Sequence, residues 1–359
     1  MNQIQFPKEY TLQRLSEKGH TISFSRWNRW RECPFSMFSS YLLSPLVLEE
    51  NTFALPGWMI QKILELWING QQWKNGSDFI FASVRPLFDL VAFPFEAQVS
   101  IDRRDYFSSP EGRARVSKFV SEGGLSPLFL QTDLQPFFIS EERFLSVNRS
   151  CEKFFERLSR IFTGLLDMWG RDNIDLSLMK CEVPFEMDFM GFRVSGRADF
   201  IYGNPPDCTI LDGKYNLSRF VHQEQLQLYA SMMYAASGVY PRWLSFLDYN
   251  GLRYRTFQTD PLFLNSTLAP DLLQIYSHIQ YIRQTLSSLN RDFFTFDDLP
   301  LIRFRPSDTS CAFCPLRDEV CPTPRPADRV ELFRSRMNRQ NVAKEFRGID
   351  PTTIGYGTL

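Results

Sequence analysis

The sequence predicts an α/β fold, on three observations. Between residues 182 and 215, three apolar stretches of strand length follow one another, partly alternating and separated by turn residues. Helical periodicity flanks them, strongest from Ser150 to Trp169, where Phe154, Phe155, Leu158, Ile161, Phe162, Leu165 and Leu166 share one face. Hydrophobic content of 43% with 34 Phe in 359 residues is enough for one large core or two smaller ones and argues against a disordered chain. The expected architecture is a central mixed sheet with helices and a helical insertion ahead of the strands.

Taken in order, a polar lead containing His20 precedes a short helix over Ser23 to Pro34, with Ser25 as N-cap and Pro34 just past its end. Arg26, Arg29 and Arg31 interleave there with Trp27 and Trp30. Such a stretch can meet a nucleic-acid backbone and bases, while tryptophans three apart also serve as core anchors. The next helix, Gly57 to Trp67, buries Trp58, Ile60, Ile63, Leu64 and Trp67 and carries Gln61 and Glu65 four apart on one face.

Phe79-Ile80-Phe81 and the aromatic-rich 127–139 belong to the insertion, as does a basic cluster of Arg103, Arg104, Arg113, Arg115 and Lys118, either a solvated face or a nucleic-acid guide. Strands follow over 182–189, 192–202 and 209–215, then a helix over His222 to Ala236 and a strand over Trp243 to Leu247. A hairpin through Asn250-Gly251 leads into Leu252 to Phe257, and a long helix runs from Pro270 to Leu289. The implied divisions are 1–69, an insertion over 70–179, a core over 180–300, a cysteine cluster over 301–325 and a basic tail over 326–359.

The chemistry concentrates in Gly196-Arg197-Ala198-Asp199, Ile210-Leu211-Asp212-Gly213-Lys214 and Gln225-Leu226-Gln227-Leu228-Tyr229. Mg2+ or Mn2+ prefers carboxylate and carbonyl oxygens, so Asp199, Asp212 and a main-chain oxygen such as that of Gly213 suit one such ion. Lys214, two residues beyond Asp212 on a strand, projects to the same face. There it can orient or deprotonate an attacking water and neutralise charge on a phosphate. Asp212-Gly213 between apolar runs is also a strong hairpin signal, and Gln225 with Tyr229 also reads as a packed pair on a helix.

Asp, then Asp-x-Lys on the next strand, then Gln-x-x-x-Tyr on the following helix resembles the PD-(D/E)XK nuclease superfamily, and Gln225 with Tyr229 narrows the resemblance to its RecB/AddB-like branch. The resemblance spans residues 23–68 and 180–322. It implies a restriction-endonuclease-like α-β-β-β-α-β core in which Asp199 and Asp212 bind metal, Lys214 serves the water, and Gln225 and Tyr229 line the site and touch DNA. The branch also has Gly, His and Glu at four-residue intervals on its first helix. Gly57 and Glu65 match, and Gln61 stands where the metal-binding His would be.

Cys311-x2-Cys314-x6-Cys321 offers three close thiolates, and a tetrahedral zinc site or a cubane cluster needs a fourth. Cys33-Pro34 followed by aromatic residues resembles the first ligand of the iron–sulfur members of this branch. In them one N-terminal and three C-terminal cysteines hold a 4Fe-4S cluster that staples the ends of the domain. The family usually has five residues where six separate Cys314 from Cys321, and zinc suits the same thiolates. Cys151, Cys181 and Cys208 read as small buried hydrophobes.

A formal net charge of −1 requires any nucleic-acid surface to be local. No apolar run is long enough to cross a bilayer and the N-terminus lacks a signal-peptide pattern, so the expected location is the cytoplasm, with no membrane partner. The expected activity is metal-dependent cleavage of DNA, single-stranded or at ends, in recombination and repair, CRISPR adaptation or phage defence. No Gly-x4-Gly-Lys-Ser/Thr motif is present, so a helicase would be a separate partner. The alternative, raised by Gln61, is a weakly active or inactive DNA-binding scaffold that keeps the fold and the cluster.

Overall fold

The computed structural model describes residues 6–42, 54–70, 76–94, 106–122, 134–215, 217 and 223–302. The N-terminal elements are β1 (Phe6–Pro7), α1 (Lys8–Lys18), β2 (Thr21–Ile22), α2 (Phe24–Glu32), α3 (Pro34–Leu42) and α4 (Leu55–Gly70). The insertion contributes α5 (Gly76–Val91), β3 (Ala92–Pro94), α6 (Pro110–Ser121), β4 (Phe137–Ile139), α7 (Glu141–Asn148) and α8 (Cys151–Arg171). Then follow β5 (Met179–Phe189), β6 (Phe192–Tyr202), β7 (Thr209–Lys214), α9 (Gln223–Ser237), β8 (Trp243–Asp248), β9 (Arg253–Phe257), α10 (Ala269–Ser288) and β10 (Phe293–Phe294).

The main sheet is mixed. Its order is β5-β6-β7-β8-β9, with β2 added in parallel to β6 where Thr21 and Ile22 meet Arg193 and Val194. β6 is antiparallel to both β5 and β7, and β8 runs parallel to β7, the crossover being made through α9. The run α4, β5, β6, β7, α9, β8 therefore reads α-β-β-β-α-β, with α5 to α8 interposed between its first two members.

Consecutive residues of β7 and β8 point to opposite faces, and both faces are apolar. Ile210 and Phe246 join a cluster with α2, α3, α9 and α10, while Leu211 and Leu247 join one with α4, α5 and α8. Trp27 and Trp30 are core anchors of the first cluster, their indole N–H groups donating to Asp271 at 2.8 Å and to His278 Nδ1 at 3.4 Å. On α8 Phe154, Leu158, Ile161, Phe162 and Leu165 of the expected stripe are buried, Phe155 and Leu166 partly so, and Ser150 caps the helix by accepting from the Lys153 N–H.

Several local expectations change. Ser23, not Ser25, caps α2, accepting from the Arg26 N–H, and extended Cys33 ends that helix. Pro34 lies just past the end of α2, as expected, and also opens α3, because its fixed φ suits a first helical turn. The polar lead holds α1, which buries little beyond Thr11 and Leu15 and so shows almost no apolar period. It is tied down by Lys8 donating to the Leu289 carbonyl and Arg283 to that of Leu15, both at 3.0 Å. The insertion contains a parallel strand pair, β3 with β4, beside its helices, and Arg115 lies 4.0 Å over the Phe93 ring. β8 and β9 pair antiparallel as the expected hairpin through Asn250-Gly251, joined by residues 249–252, with Leu252 at φ 47°. Among the described residues no helix is long and apolar enough to cross a membrane.

Cys311, Cys314 and Cys321 lie outside the described residues, as do Arg103, Arg104 and the basic tail. Cys33 is half-buried against the first core cluster. Cys208 is buried, and Cys151 and Cys181 pack partly buried against the second cluster.

Candidate active site

The site forms where the β5–β6 pair changes face. On β5, Met179 and Cys181 pack into the α4 and α8 cluster, whereas Val183, Phe185, Met187 and Phe189 pack into the α9 and α10 cluster. On β6, Phe192, Val194 and Ala198 join the latter and Phe200 the former. Register runs Cys181 to Phe200 and Val183 to Ala198, so Glu182 and Asp199 stand opposite each other at the change. Glu182 has φ 53°, a conformation costly for a residue with a Cβ and found preferentially at functional sites.

Asp199 accepts a hydrogen bond from the Gly213 N–H at 2.7 Å, which ties β6 to β7 at the site. Asp212 Oδ1 accepts from Gln225 Nε2 at 2.8 Å, and Asp212 Oδ2 faces the Lys214 ammonium as an ion pair with no other hydrogen-bond partner among the described residues. Lys214 Nζ donates to Gln225 Oε1 at 3.1 Å, and Gln225 Nε2 also reaches Tyr229 Oη at 2.9 Å. The Gln225 amide thus spans aspartate, lysine and tyrosine, with one turn of α9 setting its spacing to Tyr229.

Two glycines make this packing possible. A Cβ on Gly196 would come within 2.6 Å of the Tyr229 ring, and one on Gly213 within 1.7 Å of Tyr249 Oη. Gly213 is thus a strand residue admitting a tyrosine, and Asp212-Gly213 is not a turn.

Facing these groups is a second polar set on α4. Tyr249 Oη donates to Gln61 Oε1 at 2.8 Å, and Gln61 Nε2 donates to Glu182 Oε1 at 3.0 Å. Lys62 Nζ lies 2.7 Å from Glu65 Oε2 and 3.3 Å from Glu182 Oε1, while Arg197 Nε lies 3.0 Å from Glu182 Oε2. Both sets open on a cleft of about 920 Å³ lined by Gln61, Lys62, Glu182, Arg197, Asp199, Gly213 and Lys214, among others.

Burial, and then the Asp212 charge, holds the Asp199 carboxyl well above the usual carboxylate range. Burial also raises Asp212, offset in part by Lys214. Burial alone would lower Lys214, but Asp212 and Asp199 outweigh it and hold the amine above its ordinary value. Lys214 is therefore an ammonium donor at neutral pH. Burial raises Glu65 as well.

The Asp199 and Asp212 pair fits a hard divalent cation. Asp212 is buried and Asp199 half-buried against the cleft, their ionised forms repel each other, and among the described residues Asp212 Oδ2 has only the Lys214 ammonium against it. Among the described residues no group of three or more His, Cys, Asp or Glu could hold a metal. An ion here would keep several of its own waters, as Mg2+ usually does.

Burial, then Glu65 and Glu182, pushes the Cys181 thiol up to about 12. At pH 8 it is almost wholly protonated and a poor nucleophile. Iodoacetamide at that pH is expected to leave Cys181 unmodified in the native chain and to alkylate it in urea, as read by peptide mass mapping.

Of the residues singled out in the sequence, Asp199, Asp212, Lys214, Gln225 and Tyr229 are brought together, with Gly213 supplying its N–H. Gln61 and Glu65 sit across the cleft in the α4 set, Glu65 reaching the rest through Lys62. Glu182, Lys62, Arg197 and Tyr249 were missed. The available signal for Lys62 was that, with Gln61 and Glu65, it interrupts the apolar run from Leu55 to Ile68 of α4.

No protein-family model matches the chain, and no curated protein matches it. Among solved structures, a candidate exonuclease from Eubacterium rectale aligns over 86% of this chain and 92% of its own, at 9% identity and a TM-score of 0.42. The protein SSO0001 aligns over 50% of this chain and 79% of its own, at 15% identity and a TM-score of 0.24. At this level of similarity neither neighbour says what this chain does.

Proposed function

We propose that the chain is a metal-dependent deoxyribonuclease of the PD-(D/E)XK type, RecB-like branch, acting on single strands or ends. The observation that carries this is the convergence of Asp199, Asp212 and Lys214 from adjacent strands beside an open cleft, with Asp199 held by the Gly213 N–H and the Gln225 amide bridging Asp212 and Lys214. Asp199, Asp212 and a main-chain oxygen at Gly213 would hold Mg2+ or Mn2+, which when bound supplies Lewis acidity to the phosphate and acidifies a water. The Lys214 ammonium, a donor on the same face as Asp212, orients that water and offsets charge growing on the phosphate. Gln225 keeps Lys214 and Asp212 in register, and Tyr229 fixes Gln225 in turn.

The proposal extends to a 4Fe-4S cluster on Cys33, Cys311, Cys314 and Cys321, and to a helicase or other recombination or defence protein as partner. Iron and acid-labile sulfide analysis of anaerobically purified chain tests the cluster; stoichiometric zinc in place of iron rejects it.

The activity test is incubation of end-labelled single- and double-stranded DNA with the chain, with and without Mn2+. Cleavage that EDTA abolishes and Lys214→Ala removes is expected. Equal cleavage by wild type and Lys214→Ala overturns the proposal. The second reading, a weakly active scaffold, is favoured by Gln61, whose amide is committed to Tyr249 and Glu182. Binding of DNA without cleavage in Mg2+ or Mn2+ would support it.

A pH dependence follows. Asp199 and Asp212 have folded-state values above their unfolded ones, so without metal the stability they contribute is complete below about pH 3.9 and is lost as pH rises through the raised values. A divalent cation relieves the repulsion of the ionised pair only. Saturating Mn2+ is expected to raise the melting temperature by about 5 °C at pH 8 and markedly less at pH 5, measured by scanning calorimetry.

A further inference from the structure

We propose that the ammonium of Lys62 permanently occupies the place a second cation would take between Glu65 and Glu182, so that the site takes one divalent ion per chain. This rests on the nuclease reading and goes beyond it, because it fixes the stoichiometry of the metal and names the residue that sets it. Lys62 is 3% exposed, on a helix that is apolar along most of its length, and its Nζ contacts both carboxylates, at 2.7 and 3.3 Å. A lysine buried that deeply needs such partners, and two partly buried carboxylates side by side are in turn favoured by a cation between them.

The two halves of the cleft differ in charge. On the α4 side Glu65 and Glu182 are matched among the described residues by Lys62 and Arg197, two acids against two bases. On the β7 side Asp199, which lines the cleft, and Asp212 are matched among the described residues by Lys214, which leaves a net charge of minus one when both carboxyls are ionised. Glu182 stands opposite Asp199 across the strand pair, so the acidic groups of the two halves are neighbours. A second dication beside Lys62 would be repelled by the ammonium and would find both Glu182 oxygens already engaged, one by Gln61 and Lys62 and the other by Arg197.

Bound Mn2+ is counted on the full chain by isothermal titration with MnCl2 and by electron paramagnetic resonance. Wild type and Lys62→Arg are expected to bind one ion, Lys62→Met two, and Lys62→Met with Glu182→Gln one. Asp212→Asn is expected to bind none. Mn2+ should also raise the melting temperature of Lys62→Met by more than that of wild type. Two ions in wild type, or one ion in a folded Lys62→Met, overturns the proposal. If Lys62→Met fails to fold, the wild-type count decides alone. Wild type that binds none, or Asp212→Asn that keeps its ion, defeats the nuclease reading underneath. One ion lost in Asp212→Asn with the count in Lys62→Met unchanged defeats only the assignment of Lys62.

Discussion

Asp212→Asn is expected to lower single-strand cleavage in Mn2+ by about three orders of magnitude or more, with little loss of stability. The substitution keeps the size of the side chain and an oxygen able to accept from Gln225 Nε2, now at 2.8 Å, so the amide bridge to Lys214 and Tyr229 survives. It removes a buried negative charge that metal binding needs and that the metal-free fold tolerates poorly. Burial and repulsion already push both carboxyls upward, so neutralising one relieves Asp199, while Lys214 loses its closest partner. These opposing effects leave a net change of about 1 kcal/mol or less. Single-turnover cleavage and thermal melting on the same preparation separate chemistry from folding. A rate within tenfold of wild type would show that Asp212 is not a metal ligand, and a collapsed melting temperature would show that it is chiefly structural.

What the sequence made legible was local. Asp199, Asp212, Lys214, Gln225 and Tyr229 lie within 31 residues of one another on two paired strands and the helix after them, where strand parity and one helical turn fix direction. The element order around them was legible for the same reason. Glu182 was not, because its role depends on a positive φ that turns β5 from one face of the sheet to the other, and alternation cannot report a change of face. Lys62 and Tyr249 were hidden differently. α4 is separated from β5 by the whole insertion, and Tyr249 meets Gln61 across 188 positions, so only tertiary packing brings them together. Pro34 lies just past α2 as read, but α3, which it opens, and α1 were not read: proline after one helix also begins another, and a helix that buries two residues has no visible stripe.

Gly213→Ala tests that hidden layer. The new methyl carbon would lie 1.7 Å from Tyr249 Oη and 2.1 Å from Cζ, closer than any packing allows, so the ring or β7 must shift. Tyr249 is 1% exposed and its hydroxyl holds Gln61, which in turn holds Glu182, so a displaced ring disturbs the α4 side of the cleft as well. The expected cost is about 3–5 kcal/mol, read from the denaturant midpoint, with loss of cleavage in the fraction that stays folded. Tyr249→Ala alone removes a large buried ring and leaves Gln61 Oε1 without its donor, and is expected to cost about as much. Combined, the two are not additive. The space vacated by the ring accepts the methyl group, so the double variant is expected to be more stable than the sum of the singles predicts by about 2 kcal/mol. Simple additivity would mean that the methyl group meets something other than Tyr249, and that Gly213 is required for the backbone of β7 rather than for the tyrosine behind it.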